Sequence, residues 1–111
     1  MLLEDDLTML GLLKTLLEIE GYQVVQFEVP NQETFLFDLL EEKPDYLVMD
    51  VNLRRVNGLD IVRALRLNKA FQTLRVIMTS GMNIGDSCIK SGADTFILKP
   101  FMPEELIDSL K

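Results

Sequence analysis

The chain has 111 residues, 48% of them hydrophobic, which is enough for one domain around a single core and too apolar for intrinsic disorder. It holds one cysteine, Cys88, and no histidine, which excludes an internal disulfide, Ser-His or Cys-His catalysis, an ordinary zinc site and a histidine phosphodonor of its own. The net charge of −7 is unevenly spread, with 12 acids against 2 bases in residues 1–50 and 6 against 9 in residues 51–111, and a net-acidic chain argues against direct nucleic-acid binding.

In chain order, Met1–Leu3 reads as the tail of a strand, followed by Glu4, Asp5 and Asp6. Leu7–Glu20 has helical spacing at Leu10, Leu13 and Leu17, with Gly21 placed to end it. Gln23–Phe27 reads as a strand, Gln32–Glu42 as a helix and Tyr46–Asp50 as a strand whose YLVM run suits burial on both faces. Gly58–Leu67 is the third helix candidate and Arg75–Thr79 the next strand. A short helix over Ile84–Lys90 is the weakest, since it contains Gly85; Gly92 is its stop. Thr95–Leu98 is the last strand, and Pro103, Glu104 and Glu105 make a good first turn for a helix over Pro103–Leu110. No apolar run approaches the ~20 residues of a membrane span. Residues 1–111 are expected to be one domain, trimmed at both ends from a longer protein.

Strands alternating with helices imply right-handed crossovers and a doubly wound parallel sheet covered on both faces. In such sheets functional groups gather beyond the carboxyl ends of the strands. Those ends carry Glu4-Asp5-Asp6, Asp50, Thr79-Ser80 and Lys99-Pro100. Each has a plain structural explanation. Asp6 suits an N-cap, Asp50 an Asx-turn into Asn52 and Asn57-Gly58, Thr79 a strand, and Lys99 the surface. Together they carry more. Carboxylates crowded at one sheet edge repel unless a cation joins them, and an oxygen-only donor set selects a hard divalent ion such as Mg²⁺. A lysine and a hydroxyl opposite that ion could hold phosphoryl oxygens, and an Asp carboxylate is a known phosphoryl acceptor.

The pattern LLEDD, YLVMD-x-N-x₅-GLDIV, VIMTS and GAD-x-FILKPF resembles the receiver domain of two-component response regulators over essentially the whole chain. The resemblance implies a five-stranded parallel sheet of flavodoxin-like order 2-1-3-4-5 with five helices. It implies that Asp50 is the phosphoacceptor. Asp6 would bind Mg²⁺ directly, Asp5 through water, and Asn52 by its backbone carbonyl. Thr79 would be the switch hydroxyl, Lys99 the phosphoryl-pairing cation, Phe96 the switch aromatic, and the Lys99–Pro100 bond cis. A sensor histidine kinase or phosphotransfer protein would donate the phosphoryl group. Phosphorylation would then bias a face made by the fourth helix, fifth strand and fifth helix toward an output domain or downstream target. The setting implied is cytoplasmic, with no membrane contact.

Against the family pattern, Arg54 and Arg55 make the loop after Asp50 more basic than usual, and the stretch from Thr79 to Gly92 is short. The basic residues Arg54, Arg55, Arg63, Arg66, Lys69 and Arg75 could meet an acidic partner, although a solvated face is the plainer reading. Ser80 is small enough to leave access to Asp50, and Asn52 and Gly81 stand where the family tunes dephosphorylation. An aspartate-nucleophile phosphatase would want a second Asp at position 52, and a flavin-binding module would not place acids after the first strand. The remaining alternative is a degenerate receiver acting as a phosphorylation-independent binding module.

Overall fold

In the computed structural model, which describes residues 1–3, 6–26, 32–53 and 56–110, short buried strands line up in parallel between two helical layers. The strands are β1 (Leu2–Leu3), β2 (Tyr46–Asp50), β5 (Arg75–Ser80) and β6 (Thr95–Leu98), in the order β1-β2-β5-β6. A hairpin of β3 (Asn52–Leu53) and β4 (Val56–Asn57) stands between β2 and the third helix.

Of the second expected strand, Gln23–Phe27, the described residues show one parallel bridge between Gln26 and Leu2, with the Leu2 amide on the Val25 carbonyl at 2.8 Å. The bridge lies on the side of β1 away from β2, so the order 2-1-3-4-5 is kept. Phe27 lies outside the described residues, as do Glu4, Asp5, Arg54 and Arg55.

Side chains alternate across the sheet, as the two-residue period of a strand requires. Leu47, Met49, Val76 and Met78 join Phe35, Leu39, Ile61, Val62, Leu65 and Cys88 in one apolar layer. Val48, Ile77 and Ile97 join Leu13, Leu17, Leu106 and Leu110 in the other. The first layer is covered by α2 (Gln32–Glu42), α3 (Gly58–Arg66) and α4 (Gly85–Ser91), the second by α1 (Leu7–Ile19) and α5 (Pro103–Leu110). Burial pushes the Cys88 thiol above its ordinary pKa.

The helix ends follow local chemistry. Asp6 caps α1 by accepting from the Thr8 and Met9 amides, and Asn57 caps α3 by accepting from Leu59. Gly21, at φ 97°, ends α1 with the Gly21 amide on Glu18 and the Tyr22 amide on Leu17, the paired bonds of a Schellman motif. The last expected residues of α1 and α3, Glu20 and Leu67, pass into caps, and α4 shifts by one residue, with Ile84 as its cap and Ser91 added at its end. A 3₁₀ turn at Lys69–Phe71 was not anticipated. Among the described residues, no helix is long and apolar enough to cross a membrane.

Candidate functional site

Three of the sequence-selected residues meet at the carboxyl ends of neighbouring strands. Asp50 ends β2 directly opposite Thr79 of β5, and the Val51 amide is bonded to the Thr79 carbonyl at 2.9 Å. Lys99 follows β6, its amide held by the Ser80 carbonyl at 2.8 Å, and the Lys99–Pro100 bond is cis. From there its Nζ reaches Asp50 Oδ2 at 2.7 Å. This ion pair is largely sheltered, with 21% of the lysine and 11% of the aspartate side chain exposed, so solvent screens it less than a surface pair.

The other carboxylate oxygen, Asp50 Oδ1, accepts from the Asn52 amide at 2.9 Å. That bond is the expected Asx-turn, so the structural and functional explanations of Asp50 describe one geometry. The turn leads into the β3–β4 hairpin, which returns the chain to the same spot, with the Gly58 amide on the Val51 carbonyl at 2.8 Å. A Cβ at Gly58 would stand 2.9 Å from the Asp50 carbonyl oxygen and 3.0 Å from Val51 Cα. A side chain at Gly58 would therefore press on the backbone at the end of β2.

The remaining candidates fall into place unevenly. Thr79 and Ser80 are buried, and the Ser80 Oγ accepts from the Met82 amide at 3.0 Å, tying the loop after β5 to the strand end. Phe96 is half-buried in β6, and its ring lies against Gly85, the first residue of α4. Asp6 serves as the α1 cap described above, and Asp5 lies outside the described residues. No group of three or more His, Cys, Asp or Glu suited to a metal occurs among the described residues. The donor chemistry does fit a hard ion: a carboxylate has about four acceptor sites, two of which are used on Asp50, and the Asp6 and Asp50 side chains offer only oxygen. A cleft of about 420 Å³ opens at the amino ends of the strands beside Tyr22, Val24, Asp45 and Tyr46, away from all these residues.

Sequence reasoning missed two participants. Gly85 lowers the helix propensity of a short segment, and in the fold it makes room for the Phe96 ring. The sequence places Arg66 in a basic run whose plainer reading is a solvated face. Instead its guanidinium is committed within the fold, to the carbonyls of Gly92, Phe71 and Leu74 and to Asp94. Arg63 pairs with Asp60 on α3.

Compared with known families, the chain matches the response regulator receiver domain over residues 1–111. It is similar to the transcriptional regulatory protein CpxR of Escherichia coli K12, at 34% identity over all of this chain and 47% of the relative, so it spans about half the length of that protein. Among solved structures it is similar to a putative response regulator from Chloroflexus aurantiacus, with TM-score 0.87 and 30% identity over 99% of this chain and 93% of the other. It is also similar to a response regulator from Burkholderia pseudomallei that has a phosphorylated aspartic acid and a calcium ion. There the TM-score is 0.83 and the identity 26%, over 99% of this chain and 64% of the other.

Proposed function

The chain belongs to the response regulator receiver domain family, whose members are signalling switches rather than enzymes with a separate substrate, and on that premise we propose that Asp50 is its phosphoacceptor. The observation that carries this reading is the Asp50 carboxylate at a sheet edge, with Lys99 Nζ at 2.7 Å on one oxygen and the Asn52 amide on the other. The phosphorylated aspartate of the Burkholderia relative supports it.

The donor is a phosphohistidine on a sensor histidine kinase or phosphotransfer protein. An Asp50 oxygen attacks phosphorus in line, a P–O bond forms, and the P–N bond breaks with its electron pair passing to the imidazole. Lys99, already beside the carboxylate, neutralises charge that gathers on the transferring oxygens. Asp6, Asp50 and the Asn52 carbonyl, with Asp5 through water, would hold Mg²⁺, which supplies further charge neutralisation when bound. Water later attacks the acyl phosphate and returns the carboxylate.

Phosphorylation adds roughly −1.5 to −2 charge beside Thr79. The Thr79 hydroxyl turns to the new oxygens, Phe96 shifts with it, and the change is read on the face of α4, β6 and α5. That face exposes Ile89, Leu98 and Met102, an apolar set suited to an output domain or target protein. The setting is cytoplasmic.

Incubating the protein with Mg²⁺ and acetyl phosphate and weighing it intact tests this. A labile phosphoryl adduct is expected on the wild type, none on Asp50→Asn, and none without Mg²⁺. No wild-type adduct would favour the phosphorylation-independent binding module instead.

A further inference from the structure

The strand that delivers Lys99 has little burial of its own to fix where it lies. In β5 every residue except Arg75 is buried, so its side chains set its register in the sheet. By contrast β6 stands at the edge of the described sheet, and of its four residues only Ile97 is buried. Lys99 follows it directly, so the place of β6 along β5 decides where the lysine emerges. A slip of one residue would carry Lys99 about 3.3 Å along the edge and turn its side chain to the other face. Such a slip would break the 2.7 Å contact between Lys99 Nζ and Asp50.

Polar bonds at the two ends of β6 supply what burial does not. Beyond its carboxyl end, the Lys99 amide donates to the Ser80 carbonyl at 2.8 Å. Before its amino end, Asp94 holds Val76 twice. The Asp94 amide donates to the Val76 carbonyl at 2.9 Å, and Asp94 Oδ2 accepts from the Val76 amide at 2.8 Å. The carboxylate thus serves where a continued ladder would offer a backbone carbonyl. Val76 is fully buried, so its amide has no water to turn to if that oxygen is removed. A carbonyl from the β6 segment could replace the oxygen only if the segment moved along β5. The Arg66 clamp holds the same carboxylate from outside: Nη2 meets Asp94 Oδ2 at 3.0 Å, while Nε and Nη1 are fixed on the carbonyls of Gly92, Phe71 and Leu74.

We propose that Asp94 is a positioning residue for Lys99: by its paired bonds with Val76 it sets the register of β6, and so the point at which the ammonium meets Asp50. This rests on Asp50 being the phosphoacceptor, and it adds how the cation beside it is aimed from the far end of a strand. The register bond needs an oxygen at the reach of an aspartate side chain, charged or not. The ion pair with Arg66 needs a negative charge and tolerates a longer stem. The two roles of the one carboxylate are therefore separable by substitution.

The rate of adduct formation with Mg²⁺ and acetyl phosphate, followed by intact mass and taken per folded molecule from circular dichroism, tests this. No adduct on the wild type overturns the phosphoacceptor reading and the positioning role together. With the wild type reacting, Asp94→Ala should be about 10- to 100-fold slower, since the lysine is displaced from the acceptor. Asp94→Asn keeps an oxygen at the same reach and loses only the charge, so it should react within about threefold of wild type although it is less stable. Asp94→Glu keeps the charge but carries it one methylene further, and should be at least about tenfold slower although it can still pair with Arg66. A purely structural ion pair predicts the reverse order, with Asp94→Glu tolerated and Asp94→Asn impaired. That reverse order, or a wild-type rate in Asp94→Ala, overturns the positioning role and leaves Asp50 phosphorylation standing. Should Asp94→Ala fail to fold, the order of Asp94→Asn and Asp94→Glu decides alone.

Discussion

The molecule contains two pairs of a cation and an aspartate, Lys99 with Asp50 at 2.7 Å and Arg66 with Asp94 at 3.0 Å, and they serve opposite ends. Arg66 is a rigid fork whose donors point at a carboxylate and at three backbone carbonyls, and the carbonyls cannot leave without a change in the backbone. Lys99 is a point charge on a flexible stem, directed at a side chain that can change its chemistry. A fork fixed on backbone makes a structural joint, whereas an ammonium fixed on a carboxylate can follow that carboxylate through reaction. Removing each cation in turn should therefore damage different properties.

The largest loss is expected from Arg66→Leu. It strips a partner from three carbonyls and from Asp94 in a region where the arginine side chain is only 19% exposed. Chemical denaturation should show about 3 kcal/mol less stability, while the folded fraction still acquires the acetyl phosphate adduct. A loss below ~1 kcal/mol would mean water replaces the clamp without cost, and the contrast with Lys99 would fail. Next comes Lys99→Met, which should slow adduct formation about 100-fold, or ~2.7 kcal/mol of barrier, with a smaller loss of stability than Arg66→Leu. A wild-type rate in that variant would remove Lys99 from the chemistry.

How much of this was legible in the sequence follows the same division. Asp50, Thr79 and Lys99 could be found because strands end where apolar runs end, and a parallel sheet puts all such ends on one edge. Asp6 as a cap and Gly21 and Gly92 as stops were legible for the same local reason. Arg66 was not, because its acceptors are mostly backbone carbonyls, which carry no sequence signature, and its one side-chain partner is 28 residues away. The β3–β4 hairpin was hidden too: two-residue strands fall below any periodic pattern, and Asn52 and Asn57-Gly58 look like ordinary turn formers.

Each pair also has its glycine, and the smallest predicted effect separates them. At Gly92 the obstruction to a side chain is Arg66 Cγ, on a chain that can bend, but the φ of 119° strains any other residue. At Gly58 no such φ applies, and the obstruction is backbone: the Asp50 carbonyl at 2.9 Å and Val51 Cα at 3.0 Å, with Met78 Cε at 3.1 Å. Backbone at a strand end yields only by moving the strand end, and this one carries Asp50. Gly58→Ala should accordingly cost about 1–2 kcal/mol in denaturation and also slow adduct formation, roughly three- to tenfold, because Asp50 moves against Lys99. A stability loss with an unchanged rate would mean that the β3–β4 hairpin absorbs the displacement, and that the Asp50 carboxylate is held by Lys99 and the Asn52 amide alone.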